Sequence, residues 1–489
     1  MTETHLIGID MELRELRVTA YDQRGEKILG SRAKFDPNSI DDWARAFRDA
    51  TVYLPNARNI ISAVGTSGTI IPVDEYGRQV FPPQWYFETA PEQAARINEL
   101  GITETLVEKG LSVSASSPIA KILALREHNP ESFADVEWLL SPTTWILYRL
   151  HNGHDRRWTE VETDWNNALK FGADITGQTP RWFTPLFEEL DVPLDLFPEI
   201  TSPGAPIGLA ESELAADTGL ADAELYHGLT DGNASAMAAG ALQTGDCSII
   251  CGSSSVIKYV SSDIDTHRAL YYHRHPIEGY LASAAFDTGV VLQWFCENVL
   301  DLSVEEGLRL AQSTTPGDEP RVYLQADRSP FFNPDMGTTM LDLWPTEEES
   351  VEETRGRLVR GIATSIALSE RTYFPLLESH FSNSIDRINL VSGGDAYGQG
   401  PFTWWNALRA SIWDYEVEKM EPRTTVGALI PPALEVSLYD DIDEASEMLL
   451  RSNGTVTPDD GVRDAYADRR HEFKNEWESI QGIYELFDR

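Results

Sequence analysis

The chain has 489 residues, of which 42% are hydrophobic and 10% aromatic, so it can form about two globular domains and is not disordered overall. Its 79 acidic and 39 basic residues give a formal net charge of −40, which argues against nucleic-acid binding. No apolar run approaches the roughly 18 residues that cross a bilayer, so we expect no membrane segment and no membrane partner.

The acidic residues are spread along the whole chain, and arginine supplies most of the positive charge. Such a surface repels itself unless salt screens it, because the Debye length falls to about 3 Å at 1 M salt. This predicts a cytoplasm of high ionic strength, as in salt-loving archaea. The three cysteines (Cys247, Cys251 and Cys296) cannot form a disulfide framework, and the N-terminus lacks a basic signal-peptide region. Both observations favour the cytoplasm.

The first half of the chain opens with two strands joined by a turn, over residues 5–10 and 16–21. A helix follows over 39–50, with Trp43, Ala46 and Phe47 on one face, and then a strand over 59–64. Further helices are predicted over 118–127, 132–140, 143–150 and 182–190, whereas residues 155–171 are predicted to be irregular.

The loop Gly-Thr-Ser-Gly-Thr at residues 65–69 directly follows a predicted strand. In open α/β sheets, ligands bind in loops at the ends of strands. The aromatic residues Trp85 and Tyr86, a little further on, fit either a pocket wall or the core, and the sequence does not decide between the two.

The middle of the chain, residues 228–260, combines an acid with a turn suited to an anion. Asp231 precedes a small-residue helix over 234–242, and two strands (247–251 and 256–260) flank the turn Gly-Ser-Ser-Ser at 252–255. The tip of such a hairpin exposes N–H groups and hydroxyls that suit a phosphate. Asp231 is either a reactive carboxylate or an ordinary helix N-cap.

The second half continues the alternation of strands and helices. Helices are predicted over 289–300, 351–374 (ended or kinked by Pro375) and 404–412, with strands at 321–324 and 387–391. Pro431 and Pro432 are expected to break or kink a helix over 426–433. His273 and His275 share a strand face, but without further ligands they do not predict a metal site. The alternation indicates α/β layers, and the two similar hairpins indicate two domains of one ancestry.

In this order, the segments resemble the FGGY carbohydrate kinases, the family of xylulose, ribulose, gluconate and glycerol kinases. The resemblance covers nearly the whole chain and rests on the order and spacing of motifs that are each weak alone. The motifs are Gly8-Ile9-Asp10 (first phosphate motif), residues 65–69 with Asp74 and Gly77 (sugar-side loop), residues 228–240 (general-base segment), residues 252–255 (second phosphate loop), Asp327-Arg328-Ser329-Pro330, and Ser392-Gly393-Gly394 (adenosine-side glycines).

The resemblance implies an α/β fold of two actin/hexokinase-like (ribonuclease H-like) domains with an active cleft between them. Residues 1–243 would form the sugar-binding domain and residues 244–489 the nucleotide-binding domain. The implied activity is ATP-dependent phosphorylation of a sugar hydroxyl, with a ketopentose such as xylulose or ribulose as the small-molecule partner. The family also allows a homodimer.

The resemblance further implies roles for single residues. Asp231 would be the general base, and Asp10 would help to hold Mg²⁺, which prefers oxygen ligands. The implied nucleotide contacts are Arg14, Gly252, Ser253, Ser254, Ser255, Gly289, Gly393 and Gly394. The implied sugar contacts are Thr69, Trp85, Glu88 and Asp231.

The chain departs from the family pattern at three places. After Asp10 the family has a Gly-Thr turn, whereas this chain has residues 11–14, Met-Glu-Leu-Arg, which place the negative Glu12 near the phosphates. Either Arg14 supplies a positive charge that binds the phosphates there, or the loop no longer binds phosphate. Ala90 stands where relatives have an arginine, and Ser255 where they have a glycine. A non-catalytic relative that binds sugar or nucleotide as a sensor or assembly partner therefore remains an alternative, and an ATPase related to actin or exopolyphosphatase is a weaker one.

Overall fold

The computed structural model describes residues 3–51, 57–267, 269–325, 336–344, 348–392 and 400–487. The two halves of the chain each form a mixed β-sheet covered by helices. Within these ranges, no helix combines the length and the apolar character that a membrane span requires.

The first half contains the following elements: β1 (Thr4–Met11), β2 (Glu15–Tyr21), β3 (Lys27–Lys34), α1 (Ile40–Ala50), β4 (Arg58–Gly65), β5 (Ile71–Val73), α2 (Pro91–Asn98), α3 (Thr103–Glu108), α4 (Pro118–His128), α5 (Pro130–Phe133), β6 (Trp138–Leu140), α6 (Pro142–Asn152), β7 (Glu162–Asp164), α7 (Trp165–Phe171), β8 (Ala173–Asp174), β9 (Arg181–Trp182), α8 (Thr184–Glu189), β10 (Glu199–Thr201), β11 (Pro206–Leu209), α9 (Glu213–Asp217), β12 (Glu224–Tyr226), β13 (Leu229–Thr230) and α10 (Asp231–Ala238).

The second half contains β14 (Cys247–Cys251), β15 (Ser254–Ser261), β16 (Tyr271–Arg274), β17 (Tyr280–Asp287), α11 (Gly289–Trp294), α12 (Val304–Gln312), β18 (Arg321–Tyr323), β19 (Thr339–Leu341), α13 (Val351–Arg371), α14 (Tyr373–Phe381), β20 (Ile388–Ser392), α15 (Pro401–Trp413), β21 (Val417–Met420), α16 (Thr424–Glu435), α17 (Ile442–Leu449), β22 (Ser452–Val456), α18 (Asp460–Ala465) and α19 (Ala467–Phe487).

The two large sheets repeat one plan. The first has the order β11-β12-β4-β1-β2-β3, and the second has β22-β21-β20-β14-β15-β17 with β16 added at its edge. In each sheet an antiparallel hairpin (β1–β2 or β14–β15) pairs in parallel with a later strand (β4 or β20). The predicted similarity of the two hairpins therefore extends to both whole sheets.

Burial follows directly from the residue pattern of the strands. β1 is buried throughout, whereas β2 alternates and buries Leu16, Val18 and Ala20 on one face. The edge strand β3 is mostly exposed and carries the charged residues Lys27 and Lys34 at its ends. Charges on an edge strand discourage pairing with another chain.

Two helices, α10 and α16, lie against each other between the sheets. A Cβ atom on Gly427 of α16 would lie 1.9 Å from the carbonyl oxygen of Ala234 in α10, so only glycine permits this approach. A Cβ atom on Gly8 of β1 would meet Thr425 of α16 at 2.5 Å. A helix from the second half of the chain thus packs closely on the first sheet and on the segment that carries Asp231.

Several element predictions are wrong. Residues 132–140 form the end of α5 and the strand β6, and residues 162–171 form β7 and α7, which is capped by the Asp164 side chain. Pro431 and Pro432 lie inside α16, which continues to Glu435. This helix is buried along most of its length, so packing outweighs the hydrogen bonds that the prolines cannot make. Pro375 stands in the first turn of α14, where a missing N–H costs little.

Candidate active site

A cavity of about 520 Å³ opens between the two halves of the molecule. The first half contributes the loop 67–68, Tyr86, the segment 110–119 and the end of α7, and the second half contributes β15 and β16. The start of α10 lies between them. The polar and charged lining residues that matter below are Ser67, Tyr86, Lys170, Asp231, Asn233, Lys258 and His273.

Asp231 lines this cavity as the first residue of α10. The N-cap position belongs to Thr230, so the Asp231 carboxylate is not the N-cap of its helix. Its Oδ1 accepts a hydrogen bond of 2.7 Å from the backbone N–H of Gly232, and the backbone N–H of Ser67 donates to the same carboxylate. Burial raises the pKa of Asp231, and the charges of Lys258 and Lys170 partly oppose this shift. The strand-to-helix turn therefore presents an oriented carboxylate with increased basicity.

Asp10 lies near Asp231, at the end of β1. It is 9% exposed and pairs across the hairpin with Arg17. Burial raises the pKa of Asp10 to about 6, Arg17 lowers it, and the negative charge of Asp231 raises it further. A buried carboxylate beside a second one favours the binding of a cation.

The cation at the first hairpin is Arg17 rather than Arg14. Arg17 forms an ion pair with Glu12, the residue whose charge was expected to repel phosphate. Arg14 lies in the turn with an exposed side chain, and its backbone carbonyl accepts from Phe35. Because residues 10 and 17 are cross-strand partners, the hairpin register selects Arg17 as the neighbour of Asp10.

The tip of the second hairpin is a tight turn. The N–H of Gly252 donates to the carbonyl of Ser254 at 2.8 Å, while Ser253 is exposed at the tip. The carbonyl of Ser253 accepts from Val290 at 2.8 Å, and a Cβ atom on Gly289 would lie 2.1 Å from the carbonyl oxygen of Gly252. Glycine at position 289 is therefore required by the close packing of α11 on the tip.

Ser255 does not direct its hydroxyl at a ligand. The side chain is fully buried and donates to Glu370 at 2.7 Å. Glu370 is also fully buried and forms a two-pronged ion pair with Arg409, with N···O distances of 2.9 and 3.0 Å. The Ser255 side chain thus fastens the hairpin to a buried ion pair.

The predicted sugar contacts fall in three places. Thr69 is fully buried and its hydroxyl bonds to that of Thr66 at 2.8 Å, and Trp85 lies in the core with its indole N–H donating to Pro37. Glu88 lines a separate cavity of about 410 Å³ beside Lys121. From this part of the chain, the main cavity receives Ser67, Gly68 and Tyr86 instead.

Lys121 holds the loop around residue 68 and the segment near residue 85 together. Its ammonium is buried and donates to the carbonyl groups of Gly68, Gln84 and Trp85, the shortest of these bonds being 2.7 Å. Burial lowers its pKa to about 8, and Glu88 opposes the shift. Lys121 therefore positions the wall of the cavity from behind.

Sequence reasoning missed Lys170, Lys258 and Asn233, and it assigned His273 no ligand-binding role. One signal was available: the chain has only eight lysines, namely Lys27, Lys34, Lys109, Lys121, Lys170, Lys258, Lys419 and Lys474. Three of them lie in or directly behind the cavity. In a chain so poor in lysine, a lysine in the middle of a strand of small and apolar residues, as at position 258, indicates a specific role.

Some predicted residues cannot be placed. Gly393, Gly394 and the segment 327–330 lie outside the described residues.

Cys247, Cys251 and Cys296 are free and buried. In the part of the chain that the structure describes, no group of three or more histidine, cysteine or acidic side chains is arranged as a metal site.

Comparisons with known proteins agree with this architecture. No family model matches the chain. The xylulose kinase of Bacillus subtilis (strain 168) is 20% identical over 490 residues, which cover 93% of each chain. The ligand-bound xylulose kinase from Lactobacillus acidophilus has a TM-score of 0.81 at 16% identity, covering 99% of this chain and all of the other. Plasmodium falciparum glycerol kinase with ADP has a TM-score of 0.80 at 16% identity, and the match covers 99% of this chain and 98% of the other.

Other similar proteins include an autoinducer-2 kinase and a gluconate kinase. The structural likenesses confirm the predicted fold: two actin/hexokinase-like α/β domains, as in the carbohydrate kinases. The sequence relatives and the solved structures also agree in enzyme class, which supports a carbohydrate kinase. They differ in the sugar or polyol for which they are named.

Proposed function

We propose that this chain is an ATP-dependent kinase that phosphorylates a hydroxyl group of a sugar, with Asp231 as general base. The observation that carries the proposal is the position of Asp231: an oriented carboxylate in a cleft between two sheets of the same plan, with Asp10 nearby. The whole-length similarity to sugar kinases supports the same conclusion.

In this proposal, Asp231 accepts the proton of the acceptor hydroxyl while the oxygen of that hydroxyl attacks the γ-phosphorus of ATP and ADP leaves. The backbone N–H groups of Gly232 and Ser67 orient the carboxylate. Its raised pKa makes it a stronger base than a free aspartate. The rest of the rate enhancement comes from positioning and from neutralisation of charge on the phosphoryl group.

The residues on the nucleotide side fit a magnesium ion and phosphates. Asp10 offers a hard oxygen ligand in a buried position where a nearby second carboxylate favours a cation. Magnesium, when bound, would neutralise phosphate charge. Ser253 at the exposed hairpin tip and the adjoining start of α11 are the described parts that we assign to the nucleotide, and Arg17 offsets the charge of Glu12.

For the acceptor, the relatives support a small polyhydroxy compound. Proteins named xylulose, gluconate and glycerol kinases share the fold, so a ketopentose such as xylulose or ribulose belongs to the first set of compounds to test. We assign acceptor contacts to Ser67, Tyr86 and Asp231, which line the main cavity, rather than to Thr69 and Trp85, which are buried behind it.

The test is sugar-stimulated formation of ADP. Purified protein is assayed in molar KCl, because of the net charge of −40, with MgATP and a panel of pentuloses, polyols and sugar acids. We expect turnover with at least one acceptor and its loss in Asp231→Asn at an unchanged melting temperature. Binding of MgATP without turnover on any acceptor would favour the sensor alternative. ATP hydrolysis at full rate without an acceptor would favour an ATPase.

A further inference from the structure

Two ammonium groups face the acceptor cavity beside Asp231. Lys258 of β15 is 2% exposed, and its Nζ contacts Oδ1 of Asn233 at 3.3 Å and Nδ1 of His273 at 3.4 Å. It also lies 5.4 Å from the ring centre of Tyr271. Lys170, at the end of α7 in the other half of the chain, projects into the same cavity. Neither ammonium forms an ion pair with a carboxylate of the described residues.

The placement of these cations is electrostatically unfavourable in the free protein. Burial and the charge of Lys170 lower the pKa of Lys258 to about 7. Burial, reinforced by both lysines, lowers the pKa of His273 well below its usual value. Among the residues that the structure describes, Asp231 is the carboxylate whose charge acts on both lysines. Like charges that face one cavity are stabilised when an anion binds between them.

The amide of Asn233 adds a third hydrogen-bond donor at this cavity. Asn233 is fully buried and lines the cavity, and its Nδ2 atom has no hydrogen-bond partner among the residues that the structure describes. Buried polar groups are nearly always satisfied, so an unpaired amide donor at a cavity wall indicates a bound acceptor. Two ammonium groups and an amide N–H together fit a ligand group that only accepts, such as a carboxylate.

The position of the donors separates the acceptor from the nucleotide. Lys170, Lys258 and Asn233 line the same cavity as Tyr86, whereas Asp10 and the hairpin tip at 252–253 do not line it. An anionic group bound by these donors therefore belongs to the compound that occupies the cavity, on the acceptor side of Asp231.

We propose that the acceptor carries a carboxylate, bound by Lys170, Lys258 and the amide of Asn233, so that the substrate is a sugar acid rather than a neutral pentulose. This inference rests on the proposed kinase function and narrows its substrate class. The carboxylate lies at one end of the acceptor and the reacting hydroxyl faces Asp231.

Calorimetric titration without nucleotide tests the carboxylate site directly. D-xylonate is compared with xylitol, and D-gluconate with D-glucitol, on the wild-type protein and on Lys170→Gln and Lys258→Gln. We expect each acid to bind at least about tenfold more tightly than its matched alditol, because hydrogen bonds from an ammonium group to a carboxylate are stronger than those to a neutral hydroxyl. Each lysine variant should lose most of that preference. The control variant Lys474→Gln removes an exposed lysine from α19 and should keep the preference for acids.

The outcomes separate this inference from the kinase proposal. Preferential binding of the acids, with no phosphorylation of any acceptor in the panel, would leave the carboxylate site standing and refute the kinase. Phosphorylation of xylulose, with acids bound no better than alditols, would support the kinase and refute the carboxylate site. If the lysine variants raise the KM for ATP and leave the preference for acids intact, the ammonium groups serve the phosphoryl group and the inference is overturned. The wild-type comparison requires no variant to fold.

Discussion

The buried ion pair between Glu370 and Arg409 provides a sharp test of how the second hairpin is held. Arg409 is 1% exposed and Glu370 is fully buried. The guanidinium donates twice to the carboxylate, at 2.9 and 3.0 Å, and stacks 3.9 Å from the ring centre of Trp405. The Arg409→Met variant would leave the Glu370 carboxylate with the Ser255 hydroxyl as its remaining donor among these partners.

An unpaired buried charge costs about 3–5 kcal/mol, because the carboxylate has lost both water and its counterion. For a domain of about 250 residues, each kcal/mol lowers the melting temperature by roughly 2–4 °C, so Arg409→Met should lower it by roughly 6–20 °C. Because Ser255 bonds to Glu370, the loss of Arg409 also weakens the anchor of the second hairpin. The KM for ATP should therefore rise more than the KM for the acceptor.

Two further variants make the thermal-melting assay decisive in molar KCl. Arg309→Met removes an exposed arginine that pairs with Glu305 at 2.9 Å, and it should cost less than about 1 kcal/mol. The double variant Arg409→Met/Glu370→Met removes both buried charges and should recover most of the lost stability. If Arg409→Met melts within about 2 °C of the wild type, or if the double variant is no more stable than Arg409→Met, the reasoning is refuted.

Three other predictions address the cleft. Asp231→Asn should lower kcat by about 10²–10⁴-fold at an unchanged melting temperature, and a rate within tenfold of the wild type would exclude Asp231 as the base. The pKa of Asp10 is raised to about 6 from 3.8, so its ionisation destabilises the free protein as the pH rises from 4 to 7. Asp10→Asn should therefore stabilise it by up to about 3 kcal/mol at pH 7 and by little near pH 4, measured by thermal melting, while activity is lost. Gly427→Ala places a Cβ atom 1.9 Å from the Ala234 carbonyl oxygen and should destabilise by about 1–3 kcal/mol, whereas Gly482→Ala, in an open helix position, should stabilise slightly in the same assay.

Local sequence patterns predicted the parts of the site that depend on neighbouring residues. The two hairpins are marked by alternating apolar residues and a short turn, and their recurrence predicted the repeated sheets. Asp231 was singled out because it lies among small residues and precedes a small-residue helix.

Local patterns failed where packing from elsewhere decides. Trp85 and Tyr86 are adjacent and chemically alike, yet Trp85 packs on Trp43 in the core and Tyr86 lines the cavity. Pro431 and Pro432 were expected to break a helix that tertiary packing preserves. In both cases the deciding contacts come from residues far away in the chain.

The sequence by itself thus determined the duplicated α/β plan, the acidic surface and the catalytic candidate, because periodicity, composition and short motifs are properties of neighbouring residues. Only the tertiary structure decided that Ser255 is bound to Glu370, 115 residues away. It alone brought Lys170 and Lys258 to one cavity from opposite halves of the chain. Such contacts join segments that are far apart in the chain, and no local pattern records the packing that brings them together.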